Sequence, residues 1–151
     1  MMQENNLEKR KSVSMIFPHQ LFEKNPCIYE QRIIYIVEEY LFFRQFNFHK
    51  QKIAFHRSSM KFYENYLRKK NYKVIYIESF EELSDVRNLV KYFAELGIKE
   101  VHFCDVVDDW LEKRIKERCK ELNIRFREYD SRQFINSKKR FGYIFPRKKT
   151  I

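Results

Sequence analysis

KVIYIESFEELSDVRNLVKYFAELGIKEVHFC, residues 73–104, reads as strand, helix and strand in succession. The runs at 73–78 and 100–104 are short, β-branched or aromatic and nearly continuously apolar, the pattern of strands covered on both faces. Between them Val86, Leu89, Val90 and Phe93 recur at i, i+3, i+4 and i+7, which lays one apolar stripe along a helix. Ser84 or Asp85 supplies the N-cap oxygen, and Gly97 the left-handed stop. A strand, a helix of this length and a second strand close as a right-handed crossover between parallel strands.

The same alternation continues outward. SVSMIF at 12–17 and RIIYIVE at 32–38 are further strands, and the intervening 18–31, with Pro18, Asn25 and Pro26, is a loop. From His49 or Lys50 to about Lys70, Ile53, Met60, Tyr63 and Leu67 fall on one helical stripe. Asp108 or Asp109 opens a last long helix carrying Leu111, Ile115, Cys119 and Leu122 before Asn123, and IRFREY at 124–129 is the fifth strand. These elements predict an α/β fold, a Rossmann-like five-stranded parallel sheet with helices on both faces in a three-layer α/β/α arrangement. The domain is expected over residues 13–137, between a disordered N-terminal tail at 1–12 and a basic C-terminal tail at 138–151.

A length of 151 residues suits one domain, and 15 Phe with 10 Tyr give ample material for its core. The net charge of +10 is unevenly spread. Residues 131–151 hold Arg132, Lys138, Lys139, Arg140, Arg147, Lys148 and Lys149 with no acidic residue, which leaves 24 basic against 21 acidic in residues 1–130. The folded part is therefore nearly balanced, and DNA contact is expected only indirectly or through the tail.

Several chemistries are excluded. With Gly97 and Gly142 as the only glycines, neither a G-x-G-x-x-G fingerprint nor a P-loop can be present. Cys27, Cys104 and Cys119 are odd in number and widely spaced, which predicts reduced thiols and no zinc or disulfide framework. His19, His49, His56 and His102 form no metal-binding pair; His49 and His56, seven apart, would stand roughly 10 Å apart along a helix. No metal site and no catalytic constellation is expected. No run of about 18 apolar residues occurs, and the opening MMQENNLEKRKS is polar, so the expectation is a soluble cytoplasmic protein with no membrane contact.

Ligands of such sheets sit outside the carboxyl ends of the strands, here residues 17–21, 38–48 and 104–108. Glu38 and Glu39, followed by Tyr40, Phe42 and Phe43, stand where a carboxylate can accept hydrogen bonds from a ring N–H or a ribityl hydroxyl, although on spacing alone a solvated strand end is the simpler reading. Asp105, Asp108 and Asp109 are most simply helix-capping residues.

Three segments in order, IFPHQLF at 16–22, FHKQKIAFHRSSMKFYENYL at 48–67 and FINS at 134–137, resemble the N-terminal α/β domain of the cryptochrome/photolyase-related proteins, the deoxyribodipyrimidine photolyase-related group that includes the iron–sulfur bacterial (6-4) photolyases. The resemblance implies an antenna domain that holds 6,7-dimethyl-8-ribityllumazine or another flavin-like pigment. FAD and a 4Fe–4S cluster belong, by the same resemblance, to a separate helical domain that performs DNA photorepair and lies beyond this chain or on a partner chain. Gln20 matches the first-strand loop motif, in which Pro18 and His19 replace the family's Gly and Asp. Glu38 falls at the acidic position ending the second strand, with Glu39 one residue beyond. His49 and Lys52 match the run that opens the helix, and His56 a position facing the pigment. The resemblance thus implies cofactor contacts at Gln20, Glu38, His56, His49 and Lys52 and a photolyase-family member without catalysis of its own. A basic nucleic-acid- or partner-binding module and an inactive gene fragment are the alternatives.

Overall fold

The computed structural model describes residues 11–131; the predicted tails, apart from positions 11 and 12, and the 134–137 motif lie outside them. In chain order the elements are β1 (Ser12–Ile16), β2 (Ile33–Val37), α1 (Tyr40–Phe43), α2 (Lys50–Lys69), β3 (Val74–Ile77), a 3-10 turn (Glu82–Ser84), α3 (Val86–Glu95), β4 (Glu100–Cys104), α4 (Asp109–Glu121) and β5 (Arg125–Tyr129). The five strands form one sheet in the order β3-β2-β1-β4-β5, and each neighbouring pair is parallel. Helices cover both faces, so the chain has the expected Rossmann-like three-layer fold.

Strand alternation divides the core in two. Val13, Met15, Tyr35, Val37, Val101 and Phe103 point to one side, where they meet Val86, Leu89 and Phe93 of α3 and Leu111, Ile115 and Cys119 of α4. Ile16, Ile34, Ile36, Val74 and Cys104 point to the other, against Met60, Tyr63 and Leu67 of α2. On that second face the loop 18–31 takes the place of a helix between β1 and β2, and it contributes Cys27 together with the partly buried Leu21, Phe22 and Ile28.

The three long helices begin and end by local devices. The His49 side chain accepts from the Gln51 N–H, Asp85 from Arg87 and Asp108 from Leu111, which caps α2, α3 and α4. Just past their ends Asn71, Gly97 and Asn123 adopt φ of 64°, 76° and 54°. Left-handed backbone at that place releases the chain from the helix, and Gly and Asn tolerate it best. The strands are a residue or so shorter than the apolar runs suggest. The helix Tyr40–Phe43 escapes periodicity altogether, because four residues make barely one turn.

Candidate functional site

The strand order reverses between β1 and β4, and Gln20 sits on the loop that leaves β1 at this point. Its side chain is fully buried. Nε2 donates to the carbonyls of Cys104 (2.9 Å) and Asp105 (3.2 Å), and Oε1 accepts from the Phe17 N–H (3.3 Å). Both amide hydrogens are therefore committed to the far strand. Gln20 stitches the switch point shut and positions the loop.

Glu38, at the end of β2, is equally buried. Its carboxylate accepts Arg57 Nε and Nη2 at 2.8 and 2.7 Å, the Tyr76 hydroxyl at 2.7 Å and the Ser79 N–H at 2.8 Å. Burial opposes ionisation, but the Arg57 fork, Tyr76 and Ser79 together hold the carboxyl below its ordinary value. Four donors fill the sites a carboxylate offers. The polar atoms of Gln20 and Glu38 thus bond within the protein, and both residues shape the strand-end wall.

The neighbouring carboxylate turns to the opposite face. Glu39 caps α1 through the Leu41 N–H and accepts the Val86 N–H at the start of α3 (3.1 Å). Burial outweighs these two bonds and pushes its pKa up to about 7.

His56, on α2, has its ring 6.3 Å from Phe43 and 6.1 Å from Phe55. Burial and the charge of Lys52 lower its pKa. His19, next to Gln20, meets Phe42 edge-on at 5.5 Å. Burial lowers its pKa as well, and His56 lowers it further, which places the two imidazoles within electrostatic reach. Lys52 is near enough to His56 for its charge to be felt there. His49 is the α2 cap, and the Lys52 ammonium lies 5.2 Å from the centre of the Phe48 ring.

Along α2 runs a groove of about 550 Å³, and none of Gln20, Glu38, His49, Lys52 and His56 is among its lining residues. Leu21 and Glu23 of the 18–31 loop form one wall; Phe55, Phe62, Tyr63 and Tyr66 of α2 form the other, with Ser58 and Ser59 between. Phe55 and Phe62 are 70% and 75% exposed, too open for core residues. Tyr63 donates to the Phe22 carbonyl (2.7 Å) and stacks on Tyr66 with centroids 5.9 Å apart, which fixes helix and loop at a set separation. The lining is aromatic with a few hydroxyls and one carboxylate, and it contains no Lys or Arg to bind phosphate.

The family model described as deoxyribodipyrimidine photo-lyase-related protein matches residues 14–151, nearly the whole chain. The chain belongs to that family. An uncharacterized protein of Acanthamoeba polyphaga mimivirus is 35% identical to this photolyase-related chain over 132 residues, or 83% of it. The chain spans 66% of that relative's length.

In the photolyase-related chain only one of the three acidic residues after β4 is a helix cap, and Asp109 is the first residue of the helix. Asp108 caps α4, and Asp105 accepts the Val107 N–H (3.0 Å), holding Val107 at φ 59°. Asp105, Glu112 and Glu128 bring carboxylate oxygens within 4.8 Å of one another. The Lys116 ammonium already bonds Glu112, and it lies 2.7 Å from Glu128. A cation of the protein's own thus occupies that cluster. No helix among the described residues is long and apolar enough to cross a membrane. Sequence reasoning missed Arg57 and the Leu21–Phe62 groove.

Proposed function

We propose that this photolyase-related chain is a chromophore-binding antenna module, with a flat heterocycle such as 6,7-dimethyl-8-ribityllumazine seated in the groove between α2 and the 18–31 loop. The observation that carries the reading is the aromatic groove itself, open on Phe55 and Phe62 and adjoining His56. A planar ring system finds stacking faces there, the Ser58 and Ser59 hydroxyls can meet its polar edge, and the low pKa of His56 keeps that imidazole neutral at pH 7. When bound, such a pigment supplies absorption in the near ultraviolet to blue and passes the excitation on.

FAD and the repair of DNA belong, in this proposal, to a helical domain beyond these residues or on another chain. An iron–sulfur cluster does not fit the described residues, because Cys27 and Cys104 lie on the α2 side of the sheet and Cys119 on the other.

Reconstitution tests the reading. The purified chain should take up lumazine with a shifted, quenched fluorescence spectrum, and Phe62→Ala should weaken uptake roughly three- to tenfold, the size of one aromatic pair contact. Because Phe62 is exposed, its loss should leave the unfolding free energy within about 0.5 kcal/mol of wild type. A colourless chain that binds neither lumazine nor flavin would overturn the proposal.

A further inference from the structure

Cys27 and Cys104 are 77 positions apart in sequence, yet their sulfurs meet at one atom. Asn25 Oδ1 lies 2.9 Å from Cys27 Sγ and 3.4 Å from Cys104 Sγ. That arrangement is held from several sides. Asn25 Nδ2 donates to the Gln20 carbonyl (3.0 Å), its Oδ1 also accepts the Cys27 N–H (3.1 Å), and the Cys27 carbonyl accepts Arg32 Nη1 (2.9 Å). The loop therefore carries one thiol to the last residue of β4, which holds the other. Cys119 lies in the core cluster on the opposite face.

We propose that Cys27 and Cys104 are a modification site, a dithiol that a peroxide converts to a disulfide stapling the 18–31 loop to β4. One sulfur attacks the peroxide, the O–O bond breaks, and a sulfenic acid and water form. The second sulfur displaces the hydroxyl, the S–S bond forms and a second water leaves. Two electrons pass from the sulfurs to the peroxide oxygens, and both thiol protons end in water. The neighbouring Cys104 thiol, together with burial, pushes the Cys27 pKa well up, so the thiolate that reacts is scarce in the closed state. Oxidation therefore follows local opening of a loop that has no helix or strand of its own. The staple would fix Leu21 and Glu23, which belong to the same loop; the chemistry stands whether or not the groove binds a pigment.

The test is hydrogen peroxide treatment of the full native chain, blocking of remaining thiols, digestion without reductant and peptide mapping by mass spectrometry. The expected product is an intramolecular Cys27–Cys104 link that a phosphine reductant reverses. Cys119 should stay a thiol, and the oxidised chain should melt at a higher temperature. Low urea should accelerate linkage, and Cys27→Ala or Cys104→Ala should abolish it; the wild-type map decides even if those variants fold poorly. Persistence of all three thiols, a link to Cys119 or to a second chain, or separate sulfinic acids at the two positions would overturn the proposal.

Discussion

At the scale of single residues, Glu38 shows how the same atoms serve fold and site. A carboxylate at the end of a strand is visible in the sequence as a ligand candidate, but the four donors that occupy it come from α2, β3 and the turn beyond, and no local pattern announces them. Removing Arg57 takes away two of the four and leaves a buried charge short of partners, so Arg57→Ala should destabilise the chain by about 2–3 kcal/mol in urea unfolding. The figure is kept below that of a fully buried pair because the Arg57 side chain is 43% exposed. Glu38→Gln should cost less than Arg57→Ala at neutral pH, since it buries a neutral amide and leaves the half-exposed Arg57 to water, whereas Arg57→Ala leaves a buried carboxylate without its cation.

Two other buried groups give stability opposite dependences on pH. Burial raises the Glu39 pKa from 4.5 to about 7, so the folded state holds its proton more tightly than the unfolded chain does. The stability this gives is fully present below pH 4.5 and is lost as pH rises through about 7. Burial, and next the charge of Arg32, lowers the His102 pKa from 6.5 to about 4, so its contribution is present above pH 6.5 and is lost as pH falls through about 4. Unfolding free energies measured from pH 5 to 8 should therefore show Glu39→Gln gaining on wild type as pH rises. A His102→Gln variant should gain on wild type as pH falls below 6.5. A Glu39→Gln difference that is flat across the range would place the Glu39 titration elsewhere.

At the scale of elements the sequence was most legible where periodicity had room to develop. The strands and α2, α3 and α4 follow from alternation and from stripes such as Val86, Leu89, Val90 and Phe93, all fully buried. The groove was not legible. Phe55 and Phe62 lie off the buried stripe of α2, and what makes them a wall is the 18–31 loop, whose path no period encodes. Helix ends fall between these cases: Gly97 reads as a stop from its residue type, and the structure gives the reason in its φ of 76°. A Cβ placed there meets no atom within 4 Å, so the effect of Gly97→Ala is purely one of backbone conformation. It should lower stability by about 1 kcal/mol, measured as a shift in urea midpoint with an unchanged slope. A neutral outcome would mean that the turn relaxes out of the left-handed region.

Over the whole molecule the two faces of the sheet are covered unequally. Two long helices, α3 and α4, close one face, whereas α2 and an irregular loop close the other. Amides in β1 and β4 are paired on both sides within the sheet and should exchange only through global opening. The 18–31 loop, with few backbone bonds and its anchors in side chains such as Gln20, Asn25 and Tyr63, should open far sooner. This gradient separates the proposed ligand site from the rest of the fold. Hydrogen exchange followed by mass spectrometry should show added lumazine slowing peptides over residues 18–24 and 52–67 while α3 and α4 exchange at their previous rates. The asymmetry makes that outcome sharp, because a ligand that only raised global stability would slow β1 and β4 as well, and one bound across the sheet would protect α3 first.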